Sequence, residues 1–160
     1  MQTRVLTAQQ IVKEVERLLA RPRGGAEALE AVAGLLQTNR RYSWVGIYVV
    51  AGEKMRRHAE TSATPGSETA PAGIAAAIRT ASRTLGMIEA QGAFSYEDQV
   101  LLKRVAALVA KFLTGPGKGL LRKAREEAAE TAQAEKKLQP GSERMASAEG
   151  RSARTAAARA

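Results

Sequence analysis

Apolar positions along the chain change period twice. Ile11, Val12, Val15, Leu18 and Leu19 recur at spacings of three and four, with Lys13, Glu14, Glu16 and Arg17 off the stripe, which predicts an amphipathic helix. Thr7 and Gln10 stand at capping-box spacing, so the helix should start after Thr7. Arg21-Pro22 and Gly24-Gly25 should stop it. Leu29, Val32, Ala33 and Leu36 predict a second helix over about Ala26 to Thr38. From Tyr42 to Val50 the period shortens to two. Trp44, Gly46, Tyr48 and Val50 then share one side and Val45, Ile47 and Val49 the other. Both sides are apolar, as in a central strand covered above and below.

Ala51-Gly52-Glu53 predicts a tight turn into a second strand, Lys54 to Ala63, with Met55 and Ala59 inward and Lys54, Arg56, His58 and Glu60 outward. Such a charged outer face suits a sheet edge. Thr64 to Pro71 reads as a loop. Ala72–Arg79 and Arg83–Gln91 then form a second hairpin about Thr80-Ala81-Ser82, in which Gly86 leaves room for a large neighbour such as Trp44. With Ser95, the helical period returns: serine caps a helix carrying Glu97 and Asp98 in its first turn. Leu101, Val105, Leu108 and Phe112 make its buried stripe, flanked by Leu102 and Val109, and Gly115-Pro116-Gly117 ends it. Leu120 to Leu138 is rich in helix formers and poor in apolar residues, a solvated helix, and Gln139 to Ala160 is expected to be disordered. The organisation expected is a helix over 1–25, a sheet domain over 26–114 and a basic tail over 115–160.

With 160 residues and 44% hydrophobic content, one core is expected. The absence of cysteine removes disulfides, thiolate metal sites and thiol nucleophiles. A single histidine, His58, cannot build a multi-histidine site, so neither metal nor cofactor is expected. No long apolar run or signal-like block occurs, which reads as soluble and cytoplasmic. The net charge of +9 is spread: residues 115–160 hold ten Lys or Arg against six Glu, leaving +5 for residues 1–114. Basic balance favours acidic partners, and non-specific binding of nucleic acid through the tail is one alternative. An aromatic content of 4% is too low for a base-stacking platform. Arg40, Arg41, Arg56 and Arg57 could gather at one end of the first hairpin, although an ordinary charged rim explains them as well. Gly115-Pro-Gly-Lys-Gly119 lacks the glycine spacing and the hydroxyl of a phosphate loop.

Three segments carry a family resemblance over about residues 26–114. The run Tyr42-Ser-Trp-Val-Gly-Ile-Tyr-Val-Val-Ala-Gly-Glu53 resembles the first strand and turn of GAF domains. Arg83-Thr-Leu-Gly-Met-Ile-Glu-Ala-Gln91 is similar to their penultimate strand, and Ala93-Phe-Ser-Tyr-Glu-Asp98 to the entry of their last helix. The resemblance implies an α+β fold, an antiparallel sheet related to that of PAS domains with helices on one face. It further implies a ligand pocket on the other face and helices that often pair between subunits. The Trp-x-Gly-x-Tyr pattern is also similar to that of the free methionine sulfoxide reductases. By that likeness Trp44 and Tyr48 would point into the pocket, joined by Glu89 and Gln91, where those enzymes have two acidic residues. Their chemistry needs a cysteine nucleophile, which this chain lacks. The segment that roofs the pocket in GAF domains is also reduced here to the loop Thr64 to Pro71, too short to enclose a drug-sized ligand. The expectation is a non-catalytic, self-associating regulatory module. Alternatives are a small-molecule sensor with a shallow pocket at Trp44, Tyr48, Glu89 and Gln91, and the tail as a nucleic-acid binder.

Overall fold

Thr7 caps the first helix with a complete capping box. Its hydroxyl accepts from the Gln10 amide while the Gln10 side chain accepts from the Thr7 amide. The helix that follows is α1, Ala8–Ala20. The structure, a computed structural model, describes residues 5–21, 24–52, 54–61 and 73–138. The further elements are α2 (Gly25–Arg40), β1 (Trp44–Ala51), β2 (Lys54–Glu60), β3 (Gly73–Arg79), β4 (Thr84–Gln91), α3 (Tyr96–Thr114) and α4 (Lys118–Leu138). The chain divides into two units, Met1–Arg125 and Glu126–Ala160.

The first unit is α+β. Among the described residues its sheet has four strands, all antiparallel, in the order β2-β1-β4-β3. Helices α2 and α3 cover one face, and α1 packs on both of them. Val45, Ile47 and Val49 of β1, Ile88 and Ala90 of β4, and Ala76 and Ile78 of β3 are buried there with Leu29, Val32, Leu36, Leu101 and Val105. The α1 stripe reaches the same core through Ile11 and Val15, both fully buried. The buried stripe of α3 takes in the expected flanks Leu102 and Val109 and extends further, to Ala106, Ala110 and Leu113, while Leu108 is only partly buried. The cause is packing on two sides, against the sheet and against α1.

Three expectations change. Met55 and Ala59 do not share a side: Ala59 is buried, whereas Met55 is 47% exposed. Ile47 pairs with Ala59 and Tyr48 with Arg57, so the register skips His58. That bulge turns the strand over between Arg57 and Ala59. The second strand also ends before Ala63, at Glu60. There the Thr61 hydroxyl accepts from the Val45 amide at 2.9 Å, and the Thr61 amide donates to the Val45 carbonyl. Finally, Gly86 does not make room for Trp44. A Cβ at Gly86 would strike the carbonyl oxygen of Tyr48, so this glycine permits close backbone approach of β4 to β1.

At the start of α4, Leu121 and Ala124 are buried. From Glu126 to Leu138 the helix is mostly exposed, as its polar composition predicts. The tail from Gln139 and the roof loop Thr64 to Pro71 lie outside the described residues.

Candidate functional site

Alternation along β1 and β4 places the candidate side chains together. The face of the sheet away from the helices carries Trp44, Gly46 and Tyr48 from β1, opposite Gln91, Glu89 and Met87 from β4. Ala75 and Ala77 of β3 and Arg57 and Glu60 of β2 extend it on either side. All four residues singled out from the sequence therefore share one face. Trp44, Glu89 and Gln91 line a cavity of about 220 Å³ together with Gly73 and Ala75. Tyr48 is not among its lining residues.

Trp44 lies along its own strand with its ring over Gly46, where a Cβ would collide with the far edge of the indole. The indole N–H donates to Glu60 Oε1 at 2.8 Å, and Arg57 Nη1 donates to the same oxygen at 2.7 Å. This link crosses from the central strand to the edge strand and fixes the ring. Tyr48 is half-buried. Burial pushes its hydroxyl above the usual tyrosine range, and the neighbouring Glu89 carboxylate adds to the rise. Next to the cavity, then, stand a carboxylate, an amide and an oriented indole. Such a set can hold a small polar or cationic group by hydrogen bonds and stacking. Among the described residues no group of three or more His, Asp or Glu is placed to hold a metal.

A second polar cluster, not anticipated from the sequence, lies where α2, β1 and α3 meet. Asp98 is 6% exposed. Its Oδ1 accepts from Arg40 Nε at 2.8 Å and from the Tyr42 hydroxyl at 2.7 Å, while Oδ2 accepts from the Ser95 amide and hydroxyl, each at 2.8 Å. Glu97 takes a second Arg40 bond at 3.2 Å. Burial alone would raise the Asp98 carboxyl. The hydrogen bonds from Ser95, Tyr42 and Arg40 outweigh it and hold the group at about 2. Burial and the same carboxylate push the Tyr42 hydroxyl well up. Ser95 as cap and Asp98 as a first-turn acid were legible, but the Arg40 and Tyr42 partners of Asp98 lie more than 50 residues away. Arg40 is therefore spent on α3 and is no part of an arginine cluster at the hairpin, and Arg57 is paired with Glu60.

No protein-family model and no curated protein matches this sequence. Solved structures do match in fold. The GAF domain of a phosphoenolpyruvate-protein phosphotransferase from Coxiella burnetii superposes with a TM-score of 0.60 at 13% identity, covering 74% of this chain and 100% of that one. A free methionine-R-sulfoxide reductase from Neisseria meningitidis, in complex with its substrate, gives 0.58 at 15% identity over 76% of this chain and 91% of that one. The A. aeolicus nlh2 GAF domain in an inactive state gives 0.57 at 14% identity over 67% and 95%. At these identities the likeness is one of fold, and the fold of this chain is GAF-like.

Proposed function

We propose that this chain is a non-catalytic regulatory module of GAF-like fold whose far sheet face receives a small polar ligand beside Trp44. The observation that carries the reading is the cavity bordered by Trp44, Glu89 and Gln91 on the face that no described helix covers. Its size, about 220 Å³, suits a ligand smaller than a drug-sized molecule. Glu89 favours a cationic or hydrogen-bond-donating group. The lack of any cysteine supports binding without the thiol chemistry of the reductases. Trp44 is the only tryptophan, so its fluorescence reads the site directly. Titration with methionine derivatives and other small amino compounds should quench or shift it and raise the melting temperature, and Glu89→Gln should abolish both. No response to any of these small amino compounds would defeat the reading.

Self-association through α1 and α3 is a second reading. It is favoured by Val12 and Leu18 on α1 and Leu108 on α3, which pack on the core yet stay partly exposed. Light scattering should find dimers at high concentration, and monomer alone would remove this part.

A further inference from the structure

Away from that face, the corner between the end of α3 and the start of α4 holds a cleft of about 330 Å³. Four cations border it: Arg83 from the approach to β4, and Lys118, Arg122 and Arg125 from α4. The three on α4 are spaced by four and three residues, so one helix face presents all of them. Arg83 comes from the other side. The floor is Leu113 and Leu121, both buried. No acidic residue is among the described residues bordering the cleft, and the first turn of α4 has none.

We infer that this cleft is a binding site for a compact oligophosphate group, such as the di- or triphosphate of a small soluble molecule. Like charges converge here at a cost in mutual repulsion, which a multiply charged anion relieves and a single carboxylate relieves only in part. Arg122 already has an interaction within the chain, whereas Arg83, Lys118 and Arg125 make no ion pair among the described residues. Two of those three are guanidiniums, whose forked donors match phosphate oxygens. The leucine floor keeps water from one side of the anion and so strengthens each charge-assisted bond. A concave pocket bordered by four cations, three of them without an ion pair among the described residues, suits a compact anion. An extended nucleic-acid strand calls instead for a track of cations with aromatic side chains for its bases, and no aromatic residue borders the cleft.

Isothermal titration of the full chain with inorganic tripolyphosphate at low salt should reveal one saturable site. Arg83→Gln with Arg125→Gln should weaken it about tenfold or more. Lys136→Gln with Lys137→Gln removes the same charge from the far end of α4 and should change affinity by less than about twofold. All four residues are exposed, so melting temperatures should stay close to that of the unsubstituted chain. Lys118→Gln alone should also weaken binding, which provides a second variant if the first pair fails to fold. Equal loss in the two double variants would mean that net charge alone attracts the anion and would overturn the site. So would the absence of saturable binding, or tighter binding of a single-stranded oligodeoxynucleotide than of tripolyphosphate.

Discussion

Two clusters of the same make-up stand on opposite sides of the sheet domain. Each joins an arginine, a carboxylate and an aromatic donor: Arg40, Asp98 and Tyr42 on the helix side, Arg57, Glu60 and Trp44 on the far side. Their bond lengths are the same within 0.1 Å, 2.8 and 2.7 Å in the first, 2.7 and 2.8 Å in the second. They differ in their access to water. The Asp98 side chain is 9% exposed and that of Glu60 37%. Breaking a buried pair strands a charge without solvent, whereas an exposed pair exchanges its partner for water at little cost. Equal geometry therefore gives unequal consequences: the first cluster clamps α3 to the end of α2, and the second orients a ring beside a cavity.

The largest effect expected is from Asp98→Asn. Loss of the buried pair should cost on the order of 3 kcal/mol in urea unfolding at neutral pH, and a cost below about 1 kcal/mol would erase the distinction between the clusters. The pH dependence follows from the same group. Its folded value, about 2, lies below the ordinary 3.8, so its contribution is full above 3.8 and is lost as pH falls toward 2. Asp98→Asn should remove that part of the acid sensitivity, leaving the rest of the melting profile in place.

A smaller effect is expected at Gly46. Gly46→Ala drives a methyl into the Trp44 ring, while alanine itself is better tolerated than glycine in a strand. The two effects offset, and stability should change by no more than about 1 kcal/mol. The ring should nevertheless leave Glu60, shifting tryptophan emission to the red. An unchanged spectrum would mean that the ring does not rest on the strand. Smallest of all is Glu60→Gln, expected to cost about 0.5 kcal/mol and to become silent in concentrated salt.

The helix caps at Thr7 and Ser95, the stripe of α1, the centre of that of α3 and the antiparallel hairpins were legible in the sequence, because each depends on neighbours within a few residues. Alternation likewise put Trp44, Tyr48, Glu89 and Gln91 on one face once β1 and β4 paired. What spacing could not supply was decided by contacts between distant segments. The skipped His58 put Met55 on the far face and Ala59 in the core, since one extra residue inverts a period of two. Gly86 answers to the backbone of a neighbouring strand, and Asp98 to residues 56 and 58 positions earlier. Local sequence thus sets which way a side chain points along its own element. Which atom it meets depends on how the elements close on one another, and with that contact comes its burial, its charge and the work it can do.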